Sequence, residues 1–329
     1  MVRYGGATSC VAIDPDDGSP PIVLDLGTGA RRLGESLVSR YLPYMGLPAG
    51  APPPAGSSGV GTGFGLDDAP PEPRPHPSPL AAPALEVNIF TTHLHFDHIQ
   101  GLPFFGPALR PDTRLGIYGP RQGGSTLSEV FAAFIRPPYF PVGLRDLPAE
   151  LSFFEVGNGE VRLGPARVVV REVPHVGLTV GYRVEVDGVS IAYVSDHQAP
   201  AKDGAVGLAV ADGVLELCDC ADLMIHDAQY SDEEFAVKAH WGHSTLAYAM
   251  HVAREAGARR LALFHHDPTH DDTALDALGR SAEGADRSGA LESIIVAAEG
   301  GMLELPAPGP KAAAGGGPSP EKEAGRWPR

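Results

Sequence analysis

The stretch Thr92-His93-Leu94-His95-Phe96-Asp97-His98 places four potential metal ligands within six residues. It follows Val87-Asn88-Ile89-Phe90, a short apolar run that predicts a buried strand. Alternate residues of an extended chain point to the same side, so His93 and His95 should face one ion. Asp97 and His98 follow where the chain turns and can face a second ion. Imidazole nitrogens and carboxylate oxygens are suitable donors for zinc, manganese or iron, so the stretch predicts a metal centre at the end of a strand.

Three further histidine or aspartate residues lie downstream, each after a predicted strand. They are His175, Asp196 and His265. His266 follows His265 directly, and His197 follows Asp196.

The remaining sequence alternates predicted strands and helices. Strands are predicted at 10–13, 22–25, 87–90, 114–118, 151–156, 166–173, 181–186, 191–194, 223–225 and 261–264, and helices at 30–41 and about 245–256. Residues 199–213 are interpreted as a polar, glycine-rich connection. Strands and helices mixed in this way favour an α/β fold with two layers of sheet and helices outside.

Two segments have a different composition, rich in proline, glycine and alanine: residues 46–84 and residues 306–329. Such segments cannot bury enough apolar surface to offset the entropy lost on ordering. We therefore expect one folded domain at 1–305 with a disordered insertion at about 46–84, followed by a disordered tail at 306–329.

The composition restricts the class of partner. The formal net charge of −16 disfavours a long nucleic acid, which usually meets a basic face, and favours a small substrate. No apolar run approaches the ~18 residues of a membrane span, and no signal peptide is visible at the N-terminus. The three cysteines argue against a disulfide framework, with Cys218 and Cys220 expected to be buried, so a cytoplasmic location is the default.

The motif His93-x-His95-x-Asp97-His98 resembles the signature of the metallo-β-lactamase superfamily, and the later donors follow in that family's order. The resemblance implies an αββα four-layer sandwich with the metals at one edge. It assigns His93, His95 and His175 to one divalent ion, and Asp97, His98 and His265 to a second, with Asp196 bridging the two. His266 is the alternative ligand to His265, and His197 is expected to support the centre or form a pocket wall. Zinc is the expected metal, with manganese or iron as alternatives. Two such ions can activate water and polarise a phosphoryl or carbonyl oxygen.

Two more segments are similar to the ribonuclease Z-like phosphodiesterases of that superfamily. They are Ile225-His226-Asp227-Ala228-Gln229-Tyr230, with Asp227 where the branch has glutamate, and Gly242-His243-Ser244-Thr245. The resemblance makes His243 the acid for the leaving oxygen and Asp227 the residue that orients it. His240 is the alternative to His243. Asp97, His243 and Asp227 are thus the candidate catalytic residues.

The spacing between the later ligands limits the size of the substrate. The interval from His175 to Asp196 is 21 residues, filled by a strand, a turn and a strand. This leaves no room for the tRNA-gripping arm that ribonuclease Z carries there, and the compact spacing resembles the cyclic phosphodiesterases. The sequence therefore predicts a phosphodiesterase for a small cyclic or activated phosphodiester. A ribonuclease Z-like endonuclease, a carboxylic ester, thioester or lactone hydrolase, and a non-catalytic sensor are the alternatives, and a homodimer is left open.

Overall fold

A computed structural model describes residues 3–15, 17–41, 85–202, 205–286 and 289–306. The insertion expected at 46–84 and the tail expected after Pro306 lie outside the described residues. Within the described part, two sheets of five and seven strands lie between helices, with one additional two-stranded ribbon. None of the helices in that part is long and apolar enough to cross a membrane.

The first sheet is formed by the N-terminal half of the chain. Its strands are β1 (Val11–Ile13), β2 (Ile22–Leu24), β3 (Leu85–Phe90), β4 (Thr113–Gly119) and β5 (Glu150–Glu155). They lie side by side in chain order. β1 is antiparallel to β2, whereas β2 to β5 are parallel, so the carboxyl ends of these four strands share one edge of the sheet.

The second sheet is formed by the C-terminal half. Its strands are β6 (Gly159–Leu163), β7 (Ala166–Glu172), β8 (Val180–Val186), β9 (Val189–Val194), β12 (Leu223–Asp227), β13 (Arg260–Phe264) and β14 (Ser293–Val296), whereas β10 (Ala201–Lys202) and β11 (Ala205–Val206) form the separate ribbon. The order across the sheet is β14-β13-β12-β9-β8-β7-β6. β6 to β9 form an antiparallel meander, and β9, β12, β13 and β14 are parallel.

The helices form the two outer layers. They are α1 (Ala30–Tyr41), α2 (Phe96–Ile99), α3 (Leu127–Phe134), α4 (Asp212–Cys218), α5 (Asp232–Lys238), α6 (Leu246–Glu255) and α7 (Asp272–Ala285). Buried side chains of α1 and α3 share a core with the first sheet. Buried side chains of α4 to α7 share a core with the second sheet.

A third core lies between the two sheets and fixes how they face each other. It contains Ile22, Leu24 and Phe90 from the first sheet, and Tyr182 and Tyr193 from the second. Successive strand residues point to opposite faces, so β2 sends Val23 to the helix side and its two neighbours to the inter-sheet core. Helix, sheet, sheet and helix are therefore four packed layers, as the resemblance implied.

The ten predicted strands are all present, with ends that differ by at most two residues, and the two predicted helices are α1 and α6. The helices α3, α5 and α7 were not predicted, although each begins at a side-chain cap that the sequence displays: Thr126, Ser231 and Asp271. The edge strand β6 was also missed because its exposed, largely polar residues give a weak alternation signal.

Part of the interval 199–213 is also more ordered than predicted, because it contains β10, β11 and the start of α4. The expectation for the cysteines holds for Cys218, which is buried, but is wrong for Cys220. Cys220 is exposed because it lies in the turn that follows α4, where its φ is +48°.

Candidate metal centre

Three histidines from distant parts of the chain converge on one point. His93 Nε2 lies 2.8 Å from His95 Nδ1, and His175 Nε2 lies 3.3 Å from the same nitrogen. His93 and His95 follow β3, whereas His175 lies shortly before β8. Ring nitrogens this close together form a donor set that suits one divalent cation.

A second donor group lies beside the first. His98 Nε2 is 3.3 Å from His265 Nε2, and Asp97 Oδ2 is 3.4 Å from His98 Nε2 and 3.5 Å from His265 Nε2. His266 is excluded from this group because its Nε2 lies 3.0 Å from the carbonyl oxygen of Ala297. Of the two histidines that the sequence left open, the structure therefore brings His265 to the centre.

Asp196 lies between the two groups, just beyond the end of β9. Its Oδ2 is 3.8 Å from His93 Nε2 and 3.7 Å from His175 Nε2, whereas its Oδ1 is 3.2 Å from His98 Nε2 and 3.5 Å from His265 Nε2. Each oxygen thus faces one group. The side chain is buried, and Oδ1 has no hydrogen-bond partner among the described residues. A buried carboxylate oxygen without a donor is costly, and a cation between the groups would satisfy it.

A buried carboxylate, Asp25, holds the second group in place. Asp25 Oδ2 accepts from His98 Nδ1 at 2.9 Å and from the Tyr193 hydroxyl at 2.9 Å, and Oδ1 accepts from the Thr92 amide at 2.7 Å. A carboxylate on the far nitrogen of an imidazole fixes its orientation and directs the other nitrogen to the metal. Asp25 was not among the residues predicted from the sequence, although its position directly after β2 was a readable signal.

The other ligands have supports of the same kind. The Thr92 hydroxyl lies 3.0 Å from His93 Nδ1, and the Gly242 carbonyl lies 2.6 Å from His175 Nδ1. The side-chain nitrogen Nε2 of Gln229 lies 3.4 Å from His265 Nδ1, while the buried Oε1 of Gln229 has no partner in the described part of the chain. Exchanging the amide oxygen and nitrogen of Gln229 would let Oε1 accept from His265 Nδ1–H and leave His265 Nε2 free to bind a cation.

The backbone is strained where the centre requires it. Asp25 and His265 have φ values of +61° and +56°, a region that residues other than glycine rarely occupy. Gly242 has φ +94°, and a Cβ there would lie 2.6 Å from His175 Nδ1. Only glycine therefore allows the close approach that places the Gly242 carbonyl on His175.

Burial and neighbouring charges shift the pKa values of the ligands in opposite directions. Burial, together with the surrounding imidazoles, lowers the pKa of His93 to about 2. Burial opposes the charged form of His265 as well, but Asp196 and the hydrogen bond with Asp97 outweigh it and raise the pKa of His265 to about 9. Asp196 and Asp25 likewise hold the pKa of His98 well above its ordinary value against the effect of burial. In the metal-free protein, protons on His98 and His265 therefore balance the buried carboxylates.

A histidine–aspartate pair adjoins both donor groups. His243 Nδ1 lies 2.8 Å from Asp227 Oδ2, and the His243 ring stacks on His265 at 5.0 Å between centroids. Asp227 is buried at the end of β12 and also accepts from the amides of His197, Gln229 and Ser244. Four hydrogen bonds thus fix the carboxylate that orients His243.

The remaining histidines lie outside the donor groups. His197 is buried, with its Nδ1 2.9 Å from His226 Nε2, so it supports the wall behind Asp227, in accordance with the sequence expectation. His240 is exposed and accepts from the Trp241 indole at 3.0 Å. The structure therefore pairs His243, and not His240, with Asp227.

Metal binding should release protons. Coordination needs neutral imidazole, so loading the metal-free protein with zinc at pH 7.5 should release about two protons per chain, from His98 and His265. Titration calorimetry in two buffers of different ionisation enthalpy measures this number, and heats that do not depend on the buffer would contradict it. By the same linkage, the metal-free protein should lose stability as the pH rises through about 9, because a raised pKa stabilises the folded state only while the proton is bound.

Comparison with known proteins agrees with this geometry. The family model described as a beta-lactamase superfamily domain matches residues 61–266. The ribonuclease Z of Pyrococcus furiosus is 29% identical over 216 residues, which cover 55% of this chain and 69% of that protein. The ribonuclease Z of Streptococcus sanguinis is 30% identical over 224 residues, which cover 54% and 70%.

Among solved structures, the metallo-beta-lactamase fold protein YhfI of Bacillus subtilis shares the fold, with a TM-score of 0.55 at 18% identity over 92% of this chain and 96% of that one. The matched region of the family model includes all seven converging ligands, from His93 to His265. The chain belongs to the beta-lactamase superfamily and is one of its metallo-β-lactamase-fold hydrolases.

Proposed function

We propose that this protein is a phosphodiesterase with two metal ions that hydrolyses a small cyclic or activated phosphodiester. The observation that carries the proposal is the pair of buried Asp227 and partly buried His243 beside the two donor groups. A metal centre alone suits many hydrolytic reactions, whereas an oriented imidazole beside it supplies the proton that a poor alkoxide leaving group needs. The similarity to ribonuclease Z, a phosphodiester-cleaving relative by its name, supports the same reaction class.

The donor set fits two divalent cations. His93, His95 and His175 would hold one, and Asp97, His98 and His265 the other, with Asp196 offering one oxygen to each. Nitrogen and carboxylate donors without thiolate suit zinc, with manganese or iron as alternatives. When bound, such a pair supplies Lewis-acid polarisation of the phosphoryl oxygens and lowers the pKa of water.

The protein side chains have separate roles in this proposal. The Asp97 side chain is 40% exposed, whereas that of Asp196 is almost fully buried. An entering water molecule can therefore reach Asp97, and this carboxylate can orient the water and accept its proton. His243 keeps the tautomer in which Nδ1–H donates to Asp227. When protonated, its Nε2 can donate to the oxygen that leaves phosphorus.

The structure of the interval between His175 and Asp196 supports a small substrate. All residues of this interval are described, and they form β8, a two-residue turn at Asp187 and Gly188, and β9. Both turn residues have positive φ, as tight hairpins require. No arm extends from this hairpin to hold a tRNA, and the net charge of −16 opposes a long polyanion.

A ribonuclease Z-like endonuclease is the second candidate, because the two compared relatives carry that name. An arm supplied by residues 48–83 would be needed, and that segment carries Arg74 and no lysine against Asp67, Asp68 and Glu72. Hydrolysis of a carboxylic ester, thioester or lactone would leave the Asp227–His243 pair without a use. A non-catalytic sensor would not need all seven ligands.

Replacement of the bridging carboxylate should remove metal and activity together. We expect Asp196→Ala to bind fewer than two ions per chain and to lose detectable hydrolysis of bis(p-nitrophenyl) phosphate, because both donor groups lose a ligand. Metal content by mass spectrometry and turnover measure this. Asp112→Ala, which removes a carboxylate paired with Arg110 away from the centre, is the control and should keep both. Full activity in Asp196→Ala would refute the bridging role.

Removal of His243 should slow the reaction without releasing metal. We expect His243→Ala to retain both ions and to lose ~10²–10⁴-fold in kcat on a 2′,3′-cyclic nucleotide. The loss in kcat should be smaller for p-nitrophenyl phosphodiesters, whose leaving group needs little protonation. The matched control is His251→Ala. This variant removes a histidine of α6 whose Nε2 is hydrogen-bonded to the Leu208 carbonyl. An equal loss for good and poor leaving groups would assign His243 to positioning instead.

Substrate size separates the two candidate functions. With zinc or manganese at low salt, the protein should hydrolyse a cyclic mononucleotide and should cleave a 3′-extended precursor tRNA poorly. Both substrates are assayed at equal enzyme and metal concentrations, with product length read on a gel for the tRNA. Efficient endonucleolytic cleavage of the tRNA with the cyclic nucleotide untouched would establish the ribonuclease alternative.

A further inference from the structure

Large apolar side chains stand exposed beside the ligands of the metal centre. Phe96 lies between His95 and Asp97 and is 58% exposed, Val176 follows His175 and is 47% exposed, and Leu178 is 39% exposed. Trp241, two residues before His243, is 58% exposed. We call these four residues the apolar rim. Large apolar side chains exposed beside the residues of a site are candidates for contact with what binds there.

Phe96 lies where solvent reaches the donor groups. His93, His98 and Asp196 are buried, whereas His95 is exposed and the Asp97 side chain is 40% exposed. Phe96 separates these two accessible ligands along the chain. Phe96 therefore stands beside both ligands that solvent can reach.

The rim side chains are held in place although they are not buried. The Phe96 ring meets Phe134 edge to face at 5.5 Å between centroids, and the Trp241 indole donates to His240. Val176 packs against Gly242, because a Cβ added there would lie 3.0 Å from Val176 Cγ2. Rings fixed in this way lose little further entropy on binding a ligand.

The charge around the centre divides recognition into two parts. Along the sequence, no lysine or arginine stands within two positions of any of the seven ligands, of Asp227 or of His243. The nearby Lys238 is paired with Asp267 at 2.9 Å. In space, Arg121 is close to the rim, because its neighbour Gln122 donates to the Leu178 carbonyl, but Arg121 is paired with Glu155 at 3.5 Å. With these cations paired, the negative charge of a substrate would be met at the donor groups, which leaves the apolar rim to an uncharged organic group.

We infer that the apolar rim recognises a planar aromatic ring carried by the substrate, a nucleobase or an aryl group, with Phe96 and Trp241 as specificity-determining residues. This rests on the proposed phosphodiesterase function and names the organic half of its substrate. A stacked base or ring strengthens binding by about tenfold or more, and any aromatic ring offers the face that stacking needs. A second copy of the chain on the same surface would cover His95 and Asp97 and close the route to the centre.

Ring binding can be measured apart from catalysis. The chain has two tryptophans, Trp241 and Trp327, so Trp327→Phe leaves Trp241 as the only indole. In the zinc-loaded full-length protein we expect adenosine monophosphate to quench this fluorescence saturably, and ribose 5-phosphate to bind at least about tenfold more weakly. Phe96→Ala should weaken nucleotide binding by about tenfold. Phe96→Tyr should bind the nucleotide as the unchanged protein does, because an aromatic ring is kept at position 96.

Turnover then tests selectivity. We expect the ratio of kcat/KM for 2′,3′-cyclic AMP to kcat/KM for glycerol 1,2-cyclic phosphate, which lacks an aromatic ring, to fall about tenfold in Phe96→Ala and in Trp241→Ala, mainly through KM. Phe154→Ala removes an exposed phenylalanine of the edge strand β5 whose ring stacks on Tyr118 and not on a ligand, and it should keep the wild-type ratio at equal zinc content. This control separates stacking at the rim from a general effect of losing a surface phenylalanine.

The outcomes distinguish the two proposals. The inference about the aromatic ring would be overturned if both cyclic esters were hydrolysed equally well and adenosine monophosphate and ribose 5-phosphate bound with equal affinity. The proposed phosphodiesterase function would then still stand. Tight, Phe96-dependent nucleotide binding without hydrolysis of any phosphodiester would support the rim and refute the proposed reaction. If Phe96→Ala left the ratio of kcat/KM values unchanged but converted a dimer, seen by light scattering, to a monomer, the rim would be an interface between two copies of the chain. That result would overturn the inference.

Discussion

The burial of three carboxylates at one edge of the sandwich is the constraint on which this structure depends. Asp25, Asp196 and Asp227 are almost inaccessible to water, and a buried anion is unfavourable unless hydrogen bonds or positive charge compensate it. Asp25 and Asp227 are compensated by several donors each, including His98 and His243. Asp196 is the exception, because its Oδ1 faces imidazole nitrogens without a hydrogen bond. That oxygen needs a proton on the imidazoles or a cation between them, so metal binding completes the fold at this edge as well as the site.

The topology explains how distant residues reach this edge. Asp25, His93, Asp196, Asp227 and His265 lie at or just beyond the carboxyl ends of β2, β3, β9, β12 and β13, each of which runs parallel to at least one neighbour in its sheet. His175 comes before β8, but β8 is antiparallel to β9, so its start lies at the same edge. The inter-sheet core of Phe90, Tyr182 and Tyr193 then sets the two edges opposite one another. Tyr193 links core and site directly, since its ring packs between the sheets and its hydroxyl donates to Asp25.

Much of this arrangement could be predicted from the sequence, for identifiable reasons. Strand cores carry strong apolar patterns, so the ten predicted strands were found, and four donors packed between His93 and His98 point strongly to a metal site. The supports were harder to foresee. Asp25 and Gln229 act through contacts with His98 and His265, 73 and 36 residues away in sequence, and local patterns do not reveal such pairings. The family pattern favoured His265 over His266, but the backbone with φ +56° that His265 adopts was not indicated by the sequence. The missed helices α3, α5 and α7 begin at caps that the sequence displays, so cap residues carry a signal that hydrophobic periodicity alone does not.

The ligands point into the centre, whereas some of the residues next to them in sequence point to solvent. This difference suggests how one fold can serve many reactions. The ligands are fixed by buried partners: moving His93 disturbs Thr92, and moving His98 disturbs Asp25 and through it Tyr193. Phe96, Val176 and Trp241 project outward between or beside these ligands, where the sandwich places few demands on their size or polarity. A change at such a position alters what the substrate touches without altering how the cations are held. Because fold alone does not determine function, differences between members of the superfamily are expected to concentrate at these outward positions, close in sequence to the side chains that form the centre.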